Sequence, residues 1–228
     1  MLYAAEIVER IRNIPEGLCT WEFSEALPPV FTFLREHGSS GISPALTNKW
    51  IADRAVWVTH WQEDPMIPLY YLYDAEMETV DTAMLAHIAM THKANIYQNS
   101  TNKSAYLAWK ANERNWLGSL TVTNYSTEYP FNRWHQFADA EEVHSCVVGL
   151  VQHVRKKLRC FMRWTLQHEN TLHVSAFDLR FGGPIVLFDS NLGEFTFRDE
   201  VALGRWIQKV QPYYPLYDAA RCRFETFE

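Results

Sequence analysis

Cysteine is scarce in this sequence. The four present (Cys19, Cys146, Cys160 and Cys222) are spread over 228 residues and form no C-x-x-C pair. That spacing excludes a zinc knuckle and a disulfide framework, and it fits synthesis in a reducing cytoplasm. Long apolar runs are missing as well. No stretch of 18 apolar residues exists, so no membrane span is expected. The first ten residues carry acids early and lack an apolar core segment, so they do not read as a secretory signal peptide. Basic charge is not in excess either. With 21 Lys and Arg against 27 Asp and Glu, the net charge is −6, which argues against a nucleic-acid partner. Internal repeats and low-complexity stretches are absent. Histidine and acid clusters with metal-ligand spacing are also lacking. His87 and His92 fall on different faces of one helix, and His60, Glu63 and Asp64 occupy a loop-like stretch. No metal or cofactor is expected.

Apolar bulk is what the chain does have: 47% hydrophobic and 14% aromatic residues, enough for a sizeable core. Helical periodicity dominates the first half. It covers residues 2–13, then 18–27 and onward past Pro28-Pro29 to Gly38. A helix from Ser43 to about Val58 starts on a Ser43 N-cap with Pro44 at its first position. Further helices are expected at 75–98, 105–117 and 140–157, the last capped by Asp139 with one apolar stripe. Residues 158–166 alternate and read as a strand. A helix at 199–210 and a strand at 221–227 close the chain. The expected class is α+β: a helical N-terminal half packed on a C-terminal antiparallel sheet.

The densest chemical signal lies between Leu172 and Phe197. His173, Ser175 and Phe177 share one face of a strand, Gly182-Gly183-Pro184 is a turn, and Pro184 to Phe188 is a continuous apolar run that reads as a strand buried on both faces, ended by Asp189. A hairpin places His173 beside Asp189. An aspartate accepting the imidazole Nδ1–H would leave Nε2 as a base. Upstream, Gly17-Leu18-Cys19 precedes an expected helix. A cysteine in the first turn of a helix gains thiolate character from the N-terminal dipole. Chain order Cys…His…Asp is that of papain. Cys146, Cys160 and Cys222 have no glycine turn before them and read as buried structural residues. Asn191 and Gly193 read as turn formers.

These stretches resemble the YopT-like cysteine peptidases, a papain-like group of bacterial effectors. There the histidine opens a strand H-x-x-A, here His173-Val174-Ser175-Ala176. The aspartate sits in F-D-P-N-x-G-E-F, here Phe188-Asp189-Ser190-Asn191-Leu192-Gly193-Glu194-Phe195, with Ser190 in place of proline. Gly17-Leu18-Cys19 fits the G-x-C that opens the family's central helix. The resemblance implies a cysteine hydrolase with Cys19 as nucleophile, His173 as base and acid, Asp189 as orienting group, and Asn13 as oxyanion donor. The separation of Cys19 from His173 is long for the family, so residues about 42–118 are expected to be a helical insertion in a single domain spanning 1–228. The resemblance also implies a secreted effector or toxin, delivered by a specialised apparatus. Its substrate is a protein or a peptidoglycan peptide, and a cognate inhibitor or immunity protein is a further partner. A non-catalytic interaction module on a degenerate scaffold stays open.

Overall fold

The computed structural model describes residues 5–38, 41–58, 67–96, 122–123, 134–137, 139–156, 161–168, 171–180, 182–214 and 221–227. Helices α1 (Ala5–Arg12), α2 (Pro28–Glu36), α3 (Ser43–Val58) and α4 (Thr82–Ile96) fill the first half, followed by α5 (Ala140–Arg155) and α6 (Glu200–Val210). Strands are β1 (Leu18–Trp21), β2 (Tyr73–Asp74), β3 (Thr79–Val80), β4 (Val122–Thr123), β5 (His135–Gln136), β6 (Phe161–His168), β7 (Thr171–Asp178), β8 (Ile185–Asp189), β9 (Gly193–Phe197) and β10 (Arg221–Phe227). The main sheet runs β1-β9-β8-β7-β6-β10-β4, with β5 also on β10, and its described strands pair antiparallel. The class is α+β, as the sequence implies.

The sheet divides the core in two. Ile185 and Leu187 on β8 join a cluster with Phe177, Phe195 and the apolar stripes of α5 and α6. Val186 and Phe188, on the other face, join Leu46, Trp50 and Ile51 of α3, with residues of α2 and α4. Alternation on a pleated strand sets this partition, and burial on both faces explains the unbroken apolar run of β8. Each fully buried large apolar side chain contributes about 1.5–3 kcal/mol. Two helices start as their sequences require. Asp139 accepts from the Glu142 N–H at 2.8 Å, and Asp199 from the Ala202 N–H at 2.8 Å.

An expectation changes here: residues 18–21 are an edge strand rather than the start of a helix. Helix α3, at the start of the expected insertion at 42–118, packs directly on β7 and β8 and places Trp50 in the core. The helix expected at 105–117 and the cluster His60, Glu63 and Asp64 lie outside the described residues.

Candidate active site

Hairpin register brings His173 and Asp189 together. Ser175 pairs with Asp189 across β7 and β8, and His173 lies two residues earlier on the same face. The imidazole Nε2 is 2.7 Å from Asp189 Oδ2. Asp189 is fully buried, and its carboxylate is held on both oxygens. Oδ2 also accepts from the Ser175 hydroxyl at 2.9 Å, while Oδ1 accepts from the Asn191 N–H at 2.9 Å and the Tyr214 hydroxyl at 3.1 Å. Burial alone would raise the Asp189 pKa. The charge of His173 and the donors from His173, Asn191 and Ser175 together hold it below the usual carboxylate value. Asn191 does more than shape the turn, because its Nδ2 donates to the Tyr214 oxygen at 3.0 Å. The imidazole orientation differs from the expected one: Nε2 faces the aspartate, so Nδ1 is the nitrogen left to act.

Nδ1 faces α3. The Ser43 Oγ, on the first residue of that helix, lies 3.4 Å from His173 Nδ1. Ser43 is mostly buried, and its oxygen accepts from the Val174 N–H at 2.7 Å. Its hydroxyl proton has two acceptors in reach, His173 Nδ1 and the Val174 carbonyl at 3.1 Å. That carbonyl already takes the Thr47 hydroxyl at 2.8 Å. The helix is pinned further along. Trp50 Nε1 donates to Glu194 at 2.7 Å, and Arg54 bridges Glu194 and Asp178 at 3.2 and 3.1 Å. Glu194, two residues into β9, therefore ties the central helix to the Asp189 turn. Ser43, His173 and Asp189 thus form a continuous hydroxyl–imidazole–carboxylate chain at the N-terminus of a core helix.

Cys19 is not part of that chain. It sits on β1 opposite Phe195, which pairs with Leu187, which pairs with Phe177. Its row is three strand spacings across and four residues along from His173, about 14 Å and about 13 Å on an ordinary sheet. Its thiol points to the Trp21 carbonyl at 3.8 Å and packs on the core. Burial pushes its pKa up to about 11, opposite to an activated thiol. Gly17 serves packing: a Cβ there would come within 2.7 Å of Phe197 and 2.9 Å of Trp206. Asn13 is exposed and donates to the Glu9 carbonyl and carboxylate, both at 2.9 Å, which closes α1. Cys146 and Cys222 are both pushed up to about 12 by burial, and Cys160 lies outside the described residues.

The sequence matches no protein-family model and no curated protein. Among solved structures, the chain is similar to the Pseudomonas avirulence protein AvrPphB. The likeness has a TM-score of 0.54 over 82% of this chain and 92% of that chain, at 14% identity. The AvrPphB likeness supports the papain-like α+β fold and leaves the chemistry to the side chains present here. The signal for Ser43 was in the sequence. Gly41-Ile42-Ser43 has the same glycine-x-nucleophile spacing as Gly17-Leu18-Cys19, and Trp50 follows seven residues on, two helical turns along the same face. The sequence reads Ser43 as the N-cap, but Ser43 is the first residue of α3 and its oxygen accepts from the Val174 N–H instead.

Proposed function

We propose that the chain is a papain-like hydrolase that cleaves an amide bond with the Ser43 hydroxyl in the nucleophile position. The observation that carries this reading is the Ser43 Oγ–His173 Nδ1 distance of 3.4 Å, with Asp189 on the other ring nitrogen. His173 Nδ1 takes the hydroxyl proton as Oγ attacks the carbonyl carbon, and returns it to the leaving amine. Water then hydrolyses the acyl-serine ester by the same route. Asp189 holds the imidazole orientation and stabilises the imidazolium. The oxyanion donor in this scheme is the Ser43 backbone N–H, since Pro44 has none and the Leu46 N–H is taken by the Ile42 carbonyl at 2.9 Å; such a donor contributes about 3 kcal/mol in acyl transfer. Ser43 replaces Cys19 in the cysteine-hydrolase scheme that the resemblance implies.

The likeness to an avirulence protein supports reading the chain as a delivered effector or toxin acting on a protein. Peptidoglycan peptide is the alternative substrate, and a cognate inhibitor or immunity protein is a fitting partner. A second reading is a non-catalytic interaction module. It is favoured by the Val174 N–H bond to the Ser43 oxygen and by the burial of that hydroxyl. A fluorophosphonate probe separates the two readings without a known substrate. Wild type should label at Ser43, with Ser43→Ala and His173→Ala unlabelled. An unlabelled wild type, with the fold confirmed by circular dichroism, would favour the module. Targeting the protein to the cytosol or the periplasm of a bacterial cell then separates protein from peptidoglycan as substrate.

A further inference from the structure

Glu25 is a carboxylic acid inside the protein that neither the fold nor the triad requires. It is 5% exposed, in a tight turn closed by the Ser24 hydroxyl on the Ala26 N–H and by the Leu27 N–H on the Ser24 carbonyl. Its Oε2 accepts from the Ile42 N–H at 2.9 Å, one residue before Ser43. Its own backbone N–H donates to the Ser190 carbonyl at 2.9 Å, one residue after Asp189. One residue therefore holds the chain neighbour of the nucleophile with its side chain and the chain neighbour of the acid with its backbone. The approach is close: a Cβ on Gly41 would lie 3.0 Å from Oε2, so the carboxylate would have to give by a few tenths of an ångström. Oε1 is buried without a hydrogen-bond partner.

We infer that Glu25 is a positioning residue: it fixes the spacing between the turn that delivers Ser43 and the turn that delivers Asp189, and so the alignment of Ser43 with His173. Burial raises its pKa above the ordinary glutamate value, against the Ile42 amide, Ser190 and the His173 charge, which lower it, while Asp189 adds to the rise. The role needs an acceptor oxygen for the Ile42 amide, and glutamine supplies one in nearly the same shape.

The test compares Glu25→Gln and Glu25→Ala in the full chain, using two readouts that packing alone would not move. One is the NMR resonance of the His173 Nε2 proton, which needs no substrate. The other is the fluorophosphonate labelling rate, which rests on the hydrolase reading. Glu25→Gln should keep the wild-type resonance and label within about twofold of wild type. Glu25→Ala, folded by thermal melt, should shift or broaden the resonance and label at least about tenfold more slowly, a loss of about 1.4 kcal/mol. If Glu25→Ala does not fold, Glu25→Asp, one methylene shorter, takes its place with the same expectation. A folded Glu25→Ala or Glu25→Asp with an unshifted resonance overturns the positioning role. A wild type that never labels sinks the hydrolase reading instead, and the resonance alone then decides Glu25.

Discussion

Ser43 and His173 are 130 residues apart in the chain and 3.4 Å apart at Oγ and Nδ1. The contact sits where α3 meets β7, and the dipole of α3 favours negative charge at that end. A thiol placed there should therefore ionise readily. Ser43→Cys is expected to alkylate with iodoacetamide at least about tenfold faster near pH 7 than Cys19 in the same molecule. Peptide mapping reads the ratio. Preferential modification of Cys19 would remove the case for an activating environment at residue 43.

Asp189 should make the protein acid-sensitive in a narrow window. Its folded pKa lies below its ordinary value of 3.8, so its contribution to stability is complete above that value. The contribution is lost as pH falls through the lower folded value. Asp189→Asn removes it at all pH. Melting curves of the two proteins should be well separated at pH 6 and draw together as pH falls below 3.8. Curves that stay equally far apart across that range would count against the linkage.

Arg163 and Glu225 form a buried pair between β6 and β10, with an Nη2–Oε2 distance of 2.6 Å. Arg163 also donates to the Asn48 side chain on α3 at 2.6 Å. Removing one partner strands a charge. Glu225→Ala should cost about 3–5 kcal/mol in urea unfolding, while an apolar double replacement of similar volume should cost much less. A double variant as unstable as the single would show that the hydrogen bonds matter more than the charges.

Gly193 should tolerate no side chain. Its φ of 110° is one that residues with a Cβ rarely adopt, and a Cβ would lie 2.3 Å from the Trp21 carbonyl oxygen. Backbone strain and the clash together predict a loss of about 3 kcal/mol or more for Gly193→Ala. Thermal melting of the variant measures it. A drop of only a degree or two would mean that the β1–β9 contact yields easily.

The hairpin was legible because it is local. Alternation, a Gly-Gly-Pro turn and a buried apolar run settle the register within 16 residues, and register places His173 on Asp189. The cap at Asp139 was legible for the same reason. The contact on the other imidazole nitrogen was not, because Ser43 reaches His173 from 130 residues away and no local pattern reveals which turn a distant strand meets. Leu18–Trp21 alternates exposed and half-buried over four residues, too short a span to outweigh the helical reading of its flank. Gly17 owes its place to Phe197 and Trp206, partners that no local pattern reveals. Which imidazole nitrogen faces the acid depends on the Tyr214 and Ser175 hydroxyls around it, and that too is tertiary information.

The sheet order also governs how the molecule is made. β1 is laid down among the first residues but pairs only with β9, so the Thr20 hydroxyl meets Glu194 across 174 residues. Such distant pairing carries a loop-closure cost before any contact repays it, and it slows folding. Meander β6–β9 can form early, since its neighbours are adjacent in sequence. Ser43 and Glu25 reach His173 only when the front of the chain docks on that meander, and Tyr214 arrives last of all. A chain folded only through the meander lacks both the Ser43–His173 contact and the Tyr214 hydroxyl on Asp189, so the Asp189 cluster is completed by the two ends of the fold rather than by the hairpin that displays it.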